Sequence, residues 1–218
     1  MKHCSICKQK YNDDSLNFCL LDGSKLTFFD TEAATLKGTP SNPELSGFKA
    51  TYPVFPLDHV VRSFETTRTR VLIFANWFPN TIQIEHSIVA AARNGCEVQI
   101  MLLNPESAHA KDRSRDLGYR DSDSVSHEIV GSLKELSRFV ENEGVVDRVY
   151  VRLHDFTPTY ILFGWHDAIL LGLYLATVHA LQGPFMEFGR NSLMGQALLQ
   201  DFEKKWASAQ PYQLAAGS

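Results

Sequence analysis

The sequence predicts an α/β fold, a mixed sheet flanked by helices, with a small N-terminal appendage. Three observations predict it. Short continuous apolar runs of strand length, such as Arg70–Ala75, alternate with longer segments whose apolar residues recur at helical spacing. Glycines stand where those helical segments should stop, at Gly95 and Gly144. Three of the four cysteines crowd into the first 19 residues.

At 218 residues the chain suits one ordinary domain plus an appendage, and with 44% hydrophobic residues it can build a core. The net charge of −4 argues against a dedicated nucleic-acid binder, which is usually basic. No apolar run reaches the roughly 18 to 20 residues that span a bilayer. The longest, 160–178, is interrupted by Gly164, His166, Asp167 and Gly172. The start, Met1-Lys2-His3-Cys4, lacks the apolar stretch of a secretory signal, so a cytoplasmic protein is expected. Cysteines clustered in a reducing compartment point to metal rather than disulfides.

Cys4-x-x-Cys7 is followed by Cys19-x-x-Asp22 and then Gly23. Zinc takes four tetrahedral ligands, and two short x-x turns supply them in pairs. The expected set is Cys4, Cys7, Cys19 and Asp22, with His3 in reserve. Four filled positions leave none open for catalysis, so the zinc is expected to be structural. So few residues cannot build a core, and the metal would supply the folding energy. The run Asn12-Asp13-Asp14-Ser15-Leu16-Asn17-Phe18-Cys19 resembles the zinc-ribbon knuckles that open many bacterial proteins. The ribbon is placed at residues 1–28 and a linker rich in Gly, Ser, Thr and Pro at 29–52.

The main domain is placed at 53–212. Leu57–Phe64 reads as a short helix after Pro56. Arg70–Ala75 is a strand. The segment 80–94 carries Ile84, Ile88, Ala91 and Ala92 at helical spacing, and Cys96–Leu103 is a second strand. Together they predict a βαβ unit. A polar stretch at 104–123 precedes a helix at 124–143 with Val125, Ile129, Leu133, Leu136 and Val140 on one face. Strands follow at 148–154, 160–165 and 168–174, the last two joined at a turn at His166-Asp167. Pro184–Phe188 reads as an edge strand. A final helix sets Leu198, Phe202 and Trp206 on one face.

The strand Val71–Ala75, the helix ending Ala90-Ala91-Ala92-Arg93-Asn94-Gly95, the strand Cys96–Leu103 and the Asn104-Pro105 after it resemble the opening of phospholipase D-like domains. The later run Val149–Asp155, Pro158, Trp165–Asp167, Gly172–Tyr174 is similar to that superfamily's second strand group, and Phe202–Trp206 to its closing helix. Active members carry His-x-Lys, then Asp, then Gly-Ser. The histidine attacks phosphorus and the lysine neutralises the phosphoryl oxygens. If Asp167 is the family's aspartate, the His and Lys positions fall near Tyr160 and Leu162. If His154 is the nucleophile, Phe156 stands for the lysine. The resemblance therefore implies a degenerate member, of the kind found as sensor or accessory modules in bacterial proteins, and it implies a homodimer.

Other residues invite a role. His154-Asp155 ends a strand, where α/β sheets bind ligands. Arg113 and Arg115 could clamp phosphate in a bidentate manner, or belong to a solvated, self-paired surface helix. Asn76 and Trp77 follow the first strand, and a base could stack there. His154, His166 and Asp167 are the candidates for catalysis, and Cys96 reads as a small buried hydrophobe. The first functional expectation is a regulatory or sensory module that binds a phosphorylated small molecule such as a nucleotide through Asn76, Trp77, Arg113, Arg115 and His154. The others are a phosphodiesterase or nuclease using His154 and His166, and a protein-interaction adaptor.

Overall fold

A computed structural model describes residues 2–4, 10, 11, 16, 18, 19, 24, 26–28, 47–78 and 82–214. The chain divides into two units, Met1–Ser41 and Asn42–Ser218. In the first, β1 (Lys2–Cys4) lies between β2 (Lys10–Tyr11) and β3 (Leu26–Phe28), antiparallel to both. Cys19 and Leu26 are buried there, with Tyr11 and Leu16 against them. Of the expected zinc set, Cys7 and Asp22 lie outside the described residues. Among the described residues no group of three or more His, Cys, Asp or Glu is placed to hold a metal. The expected linker also lies outside them up to residue 46.

The second unit is built on eight strands: β4 (Phe48–Tyr52), β5 (Arg70–Ala75), β6 (Glu97–Leu103), β7 (Val149–His154), β8 (Tyr160–Gly164), β9 (Ala168–Leu173), β10 (Phe185–Gly189) and β11 (Gln210–Tyr212). They form one sheet in the order β11-β7-β6-β5-β8-β9-β10-β4. β5, β6 and β7 are parallel, and the other pairings are antiparallel. The helices are α1 (Leu57–Thr66), α2 (Ile82–Arg93), α3 (Ala108–Asp116), α4 (Ser124–Asn142) and α5 (Leu193–Ser208).

Alternation along the strands divides the core in two. Val71, Ile73 and Ala75 face α1, α2, α3 and α4, meeting Phe64, Ile84, Ile88, Ala110, Ile129 and Leu136. Leu72, Phe74, Met101, Leu162 and Ile169 face the other way and meet Phe202 of α5. The expected βαβ unit is present as β5-α2-β6, with β5 and β6 parallel. α2 and α4 stop where expected, at Gly95 and Gly144, whose φ angles of 86° and 67° lie where a side chain is penalised. Among the described residues no helix is long and apolar enough to cross a membrane.

One boundary and one sheet position differ from the sequence reading. The end of the expected linker, 48–52, is the strand β4, which pairs with β10. That pairing removes β10 from the edge where Pro184–Phe188 was expected to lie. β4 shows mostly exposed and half-buried residues, so it lacks the apolar run that marks a buried strand.

Candidate functional site

Because β5, β6 and β7 are parallel, their C-terminal ends open on one side of the sheet, and the residues just after them gather there. β8 runs the opposite way and pairs Phe74 with Leu162, so continuing that register sets Tyr160 beside Asn76. The turn after β9 delivers Tyr174. The sheet end thus collects Asn76, Trp77, Asn104, His154, Asp155, Tyr160 and Tyr174.

His154 is only 1% exposed. Its ring lies 4.8 Å from that of Phe74 and stacks on Phe156 at 5.6 Å. The Phe156 N–H donates to Nδ1 at 3.2 Å. A neutral ring must then carry its proton on Nε2, which has no hydrogen-bond partner of regular geometry. Burial, followed by the positive charge of Lys205, pushes its pKa down to about 4. Asn76 is equally buried. Its backbone N–H donates to the Tyr174 hydroxyl at 2.8 Å, yet neither atom of its side-chain amide has a partner. Buried polar atoms left in this way cost about 1–3 kcal/mol each, a cost that a polar ligand or water would relieve.

α5 closes the same face. Lys205 Nζ lies 2.6 Å from Asp201 and 3.2 Å from the Tyr160 hydroxyl, over the rings of Phe74 and Tyr160. Tyr160 donates to Asp201, and burial and that carboxylate raise its pKa. Asp201 itself feels burial pushing its pKa up, but the hydrogen bonds from Lys205 and Tyr160 hold it below its ordinary value. Leu162 is fully buried.

The two arginines part company. They stand two positions apart on α3, about 200° around a helix, and cannot face one ligand together. Arg113 is 5% exposed and donates to the carbonyls of Leu175, Ala176 and Val178 at 3.0, 3.2 and 2.8 Å. Burial lowers its pKa, and its Nε–H has no partner. Arg115 is exposed and pairs with Asp112 at 3.2 Å. A pocket of about 220 Å³ opens beside Arg113, between His109, Asp112, Asp116, Thr157 and Tyr174. Trp77 is half-buried and stands edge-on to His179, ring centres 6.3 Å apart, while the neighbouring Phe78 is fully buried.

His166 and Asp167 occupy the β8–β9 turn, at the opposite end of the sheet from His154. There Asp167 binds Lys49 at 2.8 Å. Burial pushes the Asp167 carboxyl up, but Lys49, His166 and Trp165 together more than offset it and the pKa falls. Cys96 is buried against the Thr67 carbonyl, and burial raises its thiol.

Sequence reasoning found Asn76, Trp77 and His154 by strand ends alone. It missed Tyr160, Asp201, Lys205 and Tyr174 as members of this cluster. The four-residue spacing from Asp201 to Lys205 does signal a helical ion pair, but not which strand it covers. It also missed Glu187, buried on β10. The Glu187 carboxylate accepts from Tyr52 at 2.7 Å and His59 at 2.9 Å.

No protein-family model and no curated protein matches the chain. Among solved structures, phosphatidylserine synthase of Haemophilus influenzae Rd KW20 is similar with a TM-score of 0.51, at 14% identity over 71% of this chain and 36% of that one. Nuc from Salmonella typhimurium, a phospholipase D family member, is similar with a TM-score of 0.46, at 15% identity over 72% of this chain and 90% of that one. NucT from Helicobacter pylori has a TM-score of 0.44, at 14% identity over 76% and 99%. At these identities the likeness is one of fold alone, and the second unit shares the α/β fold of that phosphatidylserine synthase.

Proposed function

We propose that the second unit is a non-catalytic phospholipase D-like module that senses or regulates by holding a small phosphorylated ligand at the strand ends. One observation carries the reading. The two positions that the resemblance assigns to the nucleophile and its lysine are a tyrosine bound to Asp201 and Lys205 and a fully buried leucine. The nearby histidine, His154, is 1% exposed, so its ring cannot reach a phosphorus atom in solution. Its Lys205 neighbour is neutralised by Asp201. The ligand side rests on the 220 Å³ pocket, where Thr157 and His109 offer donors beside Arg113. Asp116 in the same wall favours a phosphate of low charge over a polyphosphate.

The test is hydrolysis of bis(p-nitrophenyl) phosphate and of single-stranded DNA by the wild type and by His154→Ala. No turnover above background is expected from either. Turnover that disappears in His154→Ala would overturn the reading and favour a phosphodiesterase. Within the same proposal, Cys4, Cys7, Cys19 and Asp22 hold a structural zinc, and two copies of the chain pair. Metal analysis of the purified protein and sedimentation equilibrium check these two parts.

A further inference from the structure

Tyr174, which lines the 220 Å³ pocket, also lines a second cavity of about 230 Å³, together with Trp77, Ile161, His179, Leu181 and Gln182. We infer that this cavity is a recognition site for an uncharged planar heteroaromatic ring of purine size. The inference deepens the ligand-binding reading above and rests on it for the position of the phosphate.

Its walls are rings. The Trp77 indole and the His179 imidazole stand perpendicular, and Tyr174 lines both cavities. The floor is Ile161, 2% exposed. No carboxylate, lysine or arginine lines it, so a charged group would enter without a partner. Gln182 provides one amide with both donors and an acceptor, the complement of a heteroaromatic edge that carries both.

Size sets the class of ring. A cavity of about 150 Å³ holds one benzene, roughly 25 Å³ per ring atom. At that ratio 230 Å³ accommodates about nine ring atoms, the number in a fused bicycle. The rim is also held in place. Arg113 fastens the carbonyls of Leu175, Ala176 and Val178 and lies 5.3 Å from the centre of the Tyr174 ring. Tyr174 in turn accepts from the Asn76 N–H, one residue before Trp77. Both cavities therefore share one wall, Tyr174, whose position is set by hydrogen bonds.

The experiment is isothermal titration of the full chain with adenosine, uridine and ribose 5-phosphate, repeated on Trp77→Leu and Gln182→Leu. Adenosine is expected to bind at least tenfold more tightly than uridine. Both variants are expected to lose tenfold or more for adenosine while ribose 5-phosphate binds them as it binds the wild type. Near-UV circular dichroism shows whether Trp77→Leu keeps its fold, and if it does not, Gln182→Leu at the exposed rim decides. Undetectable adenosine binding at millimolar concentration overturns the inference, and so does adenosine affinity unchanged in Gln182→Leu. Either failure leaves the hydrolysis test untouched, so the ring site and the non-catalytic reading fall separately.

Discussion

Acid should destabilise this domain through His154, and replacing that histidine should remove that part of the effect. Free histidine titrates at 6.5, and burial with Lys205 pushes His154 down to about 4. The folded state therefore favours the neutral ring, whereas the unfolded chain takes up a proton from about pH 6.5 downward. Stability from this group is fully present above pH 6.5, falls as pH drops through the window, and levels off below about 4. At about 1.36 kcal/mol per pH unit the loss between pH 7 and pH 4 is about 3 kcal/mol, a large share of a typical 5–15 kcal/mol. His154→Leu removes the titration and the orphaned Nε2 together, at the cost of the Phe156 N–H acceptor. The variant should lie within about 1 kcal/mol of the wild type at pH 7 and be the more stable protein at pH 4.5. Urea unfolding followed by tryptophan fluorescence at pH 7, 5.5 and 4.5 measures this. Glu85, Asp167 and Asp201 are common to both proteins and cancel in the difference. Parallel losses in the two proteins would refute the assignment.

Three further outcomes are expected. Arg113→Met should cost about 1–3 kcal/mol and raise hydrogen exchange at residues 175–182. Arg113→Lys should not restore protection, because one ammonium cannot span three carbonyls. Gly195→Ala sets a Cβ 2.2 Å from the Gly189 carbonyl oxygen. Alanine's helix preference, about 1 kcal/mol, is outweighed by displacing backbone, so the melting temperature should fall rather than rise. Glu187→Gln should lower the Tyr52 pKa from about 12, where burial first and Glu187 second now hold it, and ultraviolet titration of tyrosinate would show the shift.

Most of the main domain was legible because its elements bury whole faces. Ile84, Ile88 and Ala92 or Ile129, Leu133 and Leu136 recur at a period that only a helix satisfies, and β5 and β6 are apolar enough to lie buried on both faces. The elements that escaped bury little. β4 and β11 add to the sheet through backbone hydrogen bonds, which any sequence can make, and their exposed residues carry no period. α3, capped by Ser107, was expected as a solvated surface helix, and it does bury only Ala110, Arg113 and Ser114. Arg113 was the hardest residue to place. A charged side chain in a charged run reads as surface, and its inward role depends on three carbonyls more than sixty residues away. His154 was legible as a strand end, but its neutrality comes from Phe74 and Lys205, which only the tertiary fold brings to it.

The sheet end also resists conversion to phosphoryl-transfer chemistry by any single change. Replacing Leu162 with lysine would bury an ammonium between Leu72, Phe74 and Ile169, where desolvation would strip its proton or unfold the core. Freeing Lys205 through Asp201→Asn would expose His154 to a positive charge no longer balanced by a carboxylate, lowering its basicity further. It would also leave the Tyr160 hydroxyl without its charged acceptor. Exposing His154 by removing Phe156 would take away a stacked ring without supplying a cation. Each step toward a reactive histidine thus disturbs another part of the same cluster. A protein that needed only to hold a ligand here would be under no pressure to undo that coupling, and the open cavities lie beside the cluster, around Tyr174, rather than within it.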